Sequence, residues 1–567
     1  MTLDATDTTP RPPGPIDPSR EECGAGAPGR APARRRLGRR VGALVVHPAT
    51  VAVLPLVALA IALLIRTEHY APNWDFAIGE LSIQQATHLQ QLLGPYSRFG
   101  WNHPGPLLSY SAVPIYVLSG HNGALAMSLT RVVLDAACLA GIVVVIDRTA
   151  GRLAAWGAAI GAEWFVLRVG LEWFANPWNP YAVVVPLALV LVVGASMLDG
   201  KEDRWRLLVL LLAASFVVQS HIGTGALVAL GVVTGIVGFV LTARRRARRR
   251  VAVDVAVAAG AVLVCWALPI WEQLTRSDGN AEKIARFFAE SSEPHPAART
   301  VAKMTTVAFA LTSGDTGNRL GAEPLWQVHL GVVGVVIAVA LLVIATCFAV
   351  WSWRASRRGV AAIAAMVPVG YVVALAAGLQ IRGEVSPYLF APVLAVGLVA
   401  SATVGLAGAA LVQVLAARRV DRGRTAADRA PRPGTVLGAL ALVLALVTIG
   451  VGRGAFDPLA STLGNAKVTA AASAVQRICA TGEPVHLTTT TLPWYDYLAL
   501  AAAIGECAPD VKVDPGAELL VGPRRTETLD HGLEVRAGQD PAVPPEAGWR
   551  RIWHAPQLTI DVPTAGE

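Results

Sequence analysis

Long runs of apolar residues, each about 17 to 25 residues in length, recur along most of the chain. A helix of that length can cross the roughly 30 Å hydrocarbon core of a membrane. The pattern predicts an all-α polytopic membrane protein of about eleven transmembrane helices, near residues 45–65, 123–146, 153–170, 180–198, 206–221, 224–242, 251–271, 326–350, 359–380, 388–416 and 435–453. The apolar segment 107–118 is too short to span and contains Pro114, so we expect an interfacial or re-entrant helix there.

Basic residues predict the orientation of these helices, because short connections rich in Lys and Arg stay in the cytoplasm. With the N-terminal tail inside, every strongly basic connection falls on the same side. These connections are 147–152, 201–206, 244–250, 354–358 and 418–432. We therefore expect a multi-pass plasma-membrane protein whose N terminus is cytoplasmic. Its outer loops are expected at 66–122, 171–179, 272–325 and 380–387, named here the first to the fourth loop.

The chain divides into three predicted regions. Residues 1–40 are rich in Pro, Thr and Gly, end in a basic run and lack apolar periodicity, so we expect a disordered cytoplasmic tail. Residues 41–453 form the membrane domain. Residues 454–567 predict a small, soluble, extracytoplasmic α/β domain. Its helices are expected at 466–478 and 494–504, and its strands at 484–490, 518–521, 549–553 and 558–562.

Two of the six cysteines, Cys479 and Cys507, lie in this C-terminal region. An oxidising exterior would permit them to pair. The sequence gives no distance between them, so it leaves open whether they form a disulfide.

Composition changes this picture in one respect. The 567 residues are 54% hydrophobic and 16% charged, with 48 basic and 40 acidic side chains, a net charge of +8 and a pI near 9.4. Such basicity is also typical of nucleic-acid-binding proteins. The tail and the inside connections hold about 28 Lys and Arg against about 10 acids, so the remainder carries roughly −10. The positive charge therefore reflects topology, and we expect a lipid bilayer and no nucleic acid as partner.

The first loop concentrates residues that can carry chemistry. Asp75 and Glu80 follow the first predicted span closely, and a carboxylate there can act as a general base towards a hydroxyl group. Such an acid can equally cap the following helix. Arg98 and His103 lie among aromatic residues, and arginine binds phosphate bidentately while aromatic faces stack on sugars. The prolines beside His103 are equally typical of a plain turn.

Other candidates lie in the later loops and in the second span. The fourth loop continues as QIRGEVSPYLFAP, with Arg382 and Tyr388, and the second loop reads EWFANPWNPY, with Trp178. Arg382 can equally be a snorkelling anchor, and Trp178 an ordinary residue of the membrane interface. Arg131 is an intramembrane ionisable residue and hence a functional candidate, although Asp135, four residues later, can simply neutralise it.

The string GPYSRFGWNHPGPLLSYSAVPIYVLSG, Gly94 to Gly120, follows an acidic stretch in the first loop of a many-span body with a C-terminal domain. This arrangement resembles the GT-C superfamily of membrane glycosyltransferases. The resemblance is to the protein O-mannosyltransferase and aminoarabinose-transferase type, among actinobacterial membrane proteins that carry SRFGxxHPGP, and it covers residues 45–453. It implies an inverting hexosyl- or pentosyltransferase that uses a polyisoprenyl-phosphate-linked sugar on the outer side of the membrane. The acceptor would be an extracytoplasmic glycan, lipid or protein.

The resemblance also implies roles for individual residues. Asp75 matches the catalytic acid of the first loop, and Glu80 is a second carboxylate. The residues expected to bind the phosphate or sugar of the donor are Arg98, His103, Arg131, Arg382, Tyr388 and Trp178. Relatives often carry paired acids, whereas Trp74 and Phe76 flank Asp75 here. The resemblance leaves the cofactor open: relatives with paired acids could hold a divalent metal, whereas the single acid of this motif does not support one.

Two alternatives share the predicted topology. A secondary transporter places substrate groups at the bilayer midplane on broken helices, whereas the polar residues of this chain concentrate at one face. A catalytically inactive GT-C-like accessory protein of cell-envelope assembly fits the topology equally well.

Overall fold

A computed structural model of the chain describes residues 47–66, 69–201, 204–311, 328–421, 433–452, 454, 463–489, 491–508, 510–529 and 531–564. The tail expected at 1–40 lies outside the described residues. So do parts of the third loop and most of the basic connection at 418–432.

Eight helices of the described chain are long and apolar enough to cross a membrane. They coincide with eight of the eleven predicted spans. Their bounds are Gly123–Ala150, Asn179–Asp199, Ile222–Ala243, Arg248–Thr275, Val332–Arg354, Arg358–Gly378, Val393–Arg418 and Pro433–Val451.

The three other predicted spans are also helical, but they are shorter or more polar. Their helices are Pro48–Ala52, Leu54–Arg66, Arg152–Val169 and Arg204–Ser220. The first predicted span is interrupted at Val53, and Leu54–Arg66 has only 13 residues. The helix Arg152–Val169 carries the buried Glu163 near its middle. The protein is therefore a helical membrane protein as expected, but the count of eleven spanning helices is not confirmed.

Small residues let the central helices approach closely. A Cβ atom on Gly157 would lie 2.1 Å from the carbonyl oxygen of Gly405, so Arg152–Val169 and Val393–Asp421 meet backbone to backbone. The apolar window of Asn179–Asp199 is almost wholly buried among its neighbours. The membrane body is thus a packed bundle in which Asn179–Asp199 contacts other parts of the protein on nearly every side.

The long loops contribute helices of their own. The first loop contains Asp75–Thr87, named here the loop helix, and Leu107–Leu118, the short apolar helix expected at 107–118. The other helices between the spans are Leu171–Ala175, Asn280–Glu290 and Ala298–Ala310.

The C-terminal domain contains a five-stranded sheet with strand order β2-β1-β3-β5-β4. Its strands are β1 (Val485–Thr489), β2 (Val511–Val513), β3 (Leu533–Gly538), β4 (Trp549–Ala555) and β5 (Leu558–Pro563). β1 pairs in parallel with β2 and β3, whereas β5 is antiparallel to β3 and β4. The helices of this domain are Ala466–Ala470, Ala472–Cys479, Trp494–Gly505 and Glu518–Val521.

The prediction for this domain is wrong at one segment. Residues 518–521 form a short helix and not a strand, because a four-residue apolar run has no periodicity that separates the two states. β2 and β3 were not predicted. Cys479 and Cys507, whose pairing the sequence left open, form a disulfide with their Cα atoms 5.6 Å apart.

The C-terminal domain packs directly on the first loop. Pro72 forms an antiparallel bridge with Gly464, and the amide of Asn73 donates to the carbonyl of Leu463 at 2.8 Å. Further along, Arg525 joins the loop helix to the sheet, since it donates to the Gln84 side chain at 3.0 Å and to the Val511 carbonyl at 2.9 Å. The sheet domain therefore holds the loop helix at both ends, through Pro72 and Asn73 before it and through Gln84 in its last turn.

Candidate functional site

A cavity of about 460 Å³ opens between the first loop and the membrane helices. Seven of the eight predicted site residues line it. They are Asp75, Arg98, His103, Arg131, Trp178, Arg382 and Tyr388. Residues from the first, second and fourth loops thus meet at one place, together with Arg131 from the helix Gly123–Ala150.

Asp75 is the first residue of the loop helix, and both of its carboxylate oxygens accept hydrogen bonds. The Tyr96 hydroxyl donates to Oδ1 at 2.7 Å, and the Trp178 indole Nε1 donates to Oδ2 at 2.7 Å. Among the described residues, no lysine or arginine forms an ion pair with this carboxylate. Neutral donors therefore orient the carboxylate, and it keeps lone pairs that can accept a proton.

Tyr96 is suited to this role as a donor. Burial, with the nearby Asp75 charge, raises the pKa of Tyr96 above its usual value, so the hydroxyl stays protonated. The segment around it folds into a tight turn in which Tyr96 bridges Asn102 and the Ser97 amide donates to the Trp101 carbonyl at 2.9 Å.

The base of this turn requires glycine at position 94. A Cβ atom on Gly94 would lie 2.6 Å from the carbonyl oxygens of both His103 and Gly105. The GPYSRFGWNHPGP string is therefore a compact loop whose Tyr96, Arg98 and His103 side chains all reach the cavity.

Arg98 joins the first loop to the fourth. Its guanidinium donates to the Glu384 carbonyl, lies 3.5 Å from Ser386 Oγ and sits 4.9 Å from the centroid of the Phe99 ring. Arg382 lies on the same cavity and donates to the Ser291 carbonyl at 3.3 Å. The two arginines give this part of the cavity an anion-binding character.

Trp178 and Tyr388 pack together in the wall, with ring centroids 4.8 Å apart. Burial raises the pKa of Tyr388, so its hydroxyl is also protonated at neutral pH. The aromatic contact places the Trp178 indole, which holds Asp75, against the fourth loop.

Arg131 forms the ion pair with Asp135 that the sequence allowed, and it also borders the cavity. It is fully buried and pairs with Asp135 at 3.3 Å. It also donates to the carbonyls of Trp173 and Asn176, and its guanidinium lies 4.0 Å from the Trp173 ring centroid. These contacts fix the segment that leads to Trp178. Its Nη2 atom has no acceptor among the described side chains and carbonyls, while the residue borders the cavity.

His103 faces a second histidine, His221, across 4.8 Å between ring centroids. Burial, with the neighbouring His221, holds the pKa of His103 well below its usual value, so the ring is neutral near pH 7. The Ile222 amide donates to His103 Nδ1 at 3.3 Å, which leaves Nε2–H as a donor. His221, which was not among the predicted site residues, also lines the cavity.

Glu80 does not line the cavity. It follows Asp75 by five residues, which places it about 140° around the loop helix. Its buried carboxyl group packs against Gly123, where a Cβ atom would lie 2.1 Å from its Cδ. Burial, and then the nearby Glu506 of the C-terminal domain, raise the pKa of Glu80 well above its usual value. Glu80 therefore lies at the interface with the sheet domain and not beside Asp75.

A polar network behind Asp75 was not foreseen from the sequence. Asn465 Nδ2 donates to Asp496 Oδ1 at 2.7 Å and lies 3.3 Å from Asn73 Oδ1. Lys467 Nζ donates to the other oxygen of the buried Asp496 at 2.8 Å. The C-terminal domain therefore positions the residues immediately before Asp75. Within the described ranges, no group of three His, Cys, Asp or Glu side chains is arranged to hold a metal ion.

Solved structures of another protein share this fold. The crystal structure of ArnT from Cupriavidus metallidurans bound to undecaprenyl phosphate matches with a TM-score of 0.51 at 13% identity, and covers 91% of this chain and 98% of that one. The apo structure of the same protein matches with a TM-score of 0.50 at 15% identity, over 89% and 97%. No family model and no curated protein matches the sequence. The similarity shows the fold that this chain shares with ArnT, whereas the GT-C superfamily and the narrower resemblance to actinobacterial proteins stay predictions.

Proposed function

We propose that this protein is a membrane glycosyltransferase that moves a sugar from a polyisoprenyl-phosphate donor to an acceptor hydroxyl on the extracytoplasmic side, with inversion. The observation that carries the proposal is the Asp75 carboxylate, held by Tyr96 and Trp178 in a cavity that it shares with Arg98 and Arg382. ArnT, which has the same fold, was crystallised with undecaprenyl phosphate. That ligand supports a lipid phosphate as the donor's carrier.

Asp75 acts as the general base of the proposed reaction. An acceptor hydroxyl approaches the carboxylate and gives up its proton as its oxygen attacks the anomeric carbon of the donor sugar. The bond from that carbon to the phosphate oxygen breaks on the opposite face, so the configuration inverts. Tyr96 and Trp178 keep the carboxylate in position throughout the step.

Cationic and neutral donors stabilise the departing phosphate. The phosphodiester of the donor gains a negative charge when it leaves as a monoester, so preorganised positive groups lower the barrier. Arg98 and Arg382 supply that charge at the fourth loop, and the protonated Nε2 of neutral His103 supplies a further donor. The aromatic side chains Trp101 and Phe287, on the same cavity, give the isoprenoid chain an apolar wall.

The Cys479–Cys507 disulfide supports an extracytoplasmic sheet domain, because such bonds persist in oxidising compartments. The basic connections of the sequence favour the same orientation. Since the domain packs on the Asp75 segment, the cavity opens on that side as well.

Asp75→Asn tests the proposal directly. We expect a roughly 10²- to 10⁴-fold loss of acceptor-dependent release of labelled sugar from polyprenyl-phosphate sugar, because the variant lacks the base. The assay uses full-length protein in nanodiscs, with Glu546→Gln as a control, since Glu546 is an exposed acid of the sheet domain. Unchanged turnover in Asp75→Asn contradicts the assignment of the base.

The same material separates the two alternatives. An inactive accessory protein gives no turnover in the wild type, whereas cells that lack the protein still change their envelope glycans. A transporter accumulates labelled substrate in proteoliposomes without cleaving it.

A further inference from the structure

Three aromatic side chains form an exposed cluster at the junction of the first loop and the sheet domain. The Trp74 ring stacks on Tyr495, with centroids 5.0 Å apart and planes 17° apart, and meets the edge of Trp494 at 6.2 Å. Trp494 and Tyr495 lie 6.0 Å apart at 79°. Trp74 is 53% exposed and Trp494 is 41% exposed. We call these three residues the aromatic platform.

One residue of the platform, Trp74, is the chain neighbour of the candidate base Asp75. Trp74 immediately precedes Asp75, and adjacent Cα atoms lie about 3.8 Å apart. Asp75 lines the cavity, whereas none of the three platform residues does. The platform therefore lies outside the lining of the cavity, and Trp74 joins it to Asp75 through one peptide bond.

The backbone at Trp74 is held in a conformation that bulky residues rarely adopt. Its φ of 52° lies in the left-handed region, and such outliers persist where the surroundings enforce them. The Trp74 amide donates to Asn73 Oδ1 at 3.0 Å, and Asn73 is itself fixed by Leu463 and Asn465. This conformation directs Asp75 to the cavity and the Trp74 ring to the sheet domain.

We propose that the aromatic platform binds a saccharide ring of the acceptor, next to the hydroxyl group that Asp75 deprotonates. This inference rests on the proposed function. Large aromatic faces combine apolar area with a defined geometry, and sugar rings present C–H faces that match them. The perpendicular rings of Trp74 and Trp494 offer two walls, and the exposed Thr491 lies three residues before Trp494 in the chain.

A saccharide acceptor explains two features together. Exposed apolar clusters on a protein surface mark binding sites, and this one adjoins the acid that would act on a hydroxyl. An acceptor that stacks on the platform is held beside Trp74, the residue that precedes Asp75 in the chain. The substrate class inferred for the acceptor is therefore a glycan or a glycosylated carrier.

Binding is tested without any donor. Full-length protein in nanodiscs is titrated with oligosaccharides released by mild acid from the envelope of the producing cells, and saturation-transfer NMR reports the bound rings. We expect Trp494→Ala to raise the dissociation constant at least tenfold, and Trp494→Tyr to restore part of the affinity. Leu519→Ala, an apolar residue of the same domain that is 40% exposed, is the matched control and binds as the wild type does.

Two results overturn the platform. One is a wild type that does not bind these oligosaccharides, or a Trp494→Ala variant that binds them equally well. The other is contact of the platform with lipid. Brominated lipids would then quench tryptophan fluorescence in the wild type, and this quenching would be lost in Trp494→Phe. Because binding is measured without donor, the two proposals fail separately. The wild type can fail to bind oligosaccharide while Asp75→Asn still abolishes turnover, or it can bind oligosaccharide while Asp75→Asn leaves turnover unchanged.

Discussion

The hydrogen bond from Tyr96 to Asp75 gives the sharpest quantitative prediction. Tyr96→Phe keeps the aromatic ring in the wall of the cavity but removes the donor that lies 2.7 Å from Oδ1. A hydrogen bond to a charged group contributes about 1.5–3 kcal/mol. We therefore expect kcat/KM to fall by roughly 10- to 150-fold, since about 1.4 kcal/mol corresponds to a factor of ten.

The assay is acceptor-dependent release of labelled sugar from polyprenyl-phosphate sugar in nanodiscs. Tyr110→Phe is the matched control, because its hydroxyl belongs to the same loop and donates to the Gln91 carbonyl at 3.1 Å, away from the cavity. We expect this control to stay within threefold of the wild type.

A double-mutant cycle can refute the reasoning. If Tyr96 acts through the carboxylate, Tyr96→Phe is close to neutral in the Asp75→Asn background, where the charge is already lost. An equal cost in both backgrounds shows that the effect does not pass through Asp75.

Two further predictions concern the sheet domain. Burial and Glu506 raise the pKa of Glu80 above its ordinary 4.5, so the native state keeps a proton that the unfolded chain releases, and stability falls as the pH rises from 4.5 through the native pKa. Glu80→Gln should therefore unfold at a higher temperature than the wild type at pH 8 but not at pH 4.5. An equal difference between variant and wild type at both pH values contradicts this prediction. The Cys479→Ala/Cys507→Ala variant should lose about 3–4 kcal/mol of domain stability, because it removes a cross-link between cysteines 28 residues apart and so frees the unfolded chain. Limited proteolysis measures this loss. Cys347→Ala is the control, and labelling of both domain cysteines without prior reduction contradicts the prediction.

The membrane body was largely predictable because hydropathy depends on composition alone. The eight long apolar helices lie where the sequence placed them. The helix Arg152–Val169 falls short of a spanning pattern because its 18 residues include Arg152, Glu163 and Arg168, of which Glu163 is fully buried in the bundle. In the sheet domain, the three residues of β2 were too few for an alternating pattern to show.

The sequence predicted which loops contribute to the candidate site, but it did not predict which side chains contact each other there. Placing the polar loops on one face was enough to bring Asp75, Arg98 and Arg382 to one cavity. The bond between Asp75 and Trp178 joins residues 103 positions apart, and it depends on how the bundle folds. The displacement of Glu80 follows from helical periodicity, since five residues turn a side chain away from Asp75.

The bridge between Pro72 and Gly464 joins the first loop to the C-terminal domain, and this sets the order in which the protein matures. Asn73 and Asn465 are 392 residues apart, so a ribosome adding about 5–20 residues per second needs roughly 20 to 80 s to produce the second after the first. During that interval the membrane helices can insert, while the segment before Asp75 lacks its partner. The nascent protein is therefore a bundle with an unfinished site, and folding of the C-terminal domain on the first loop completes it.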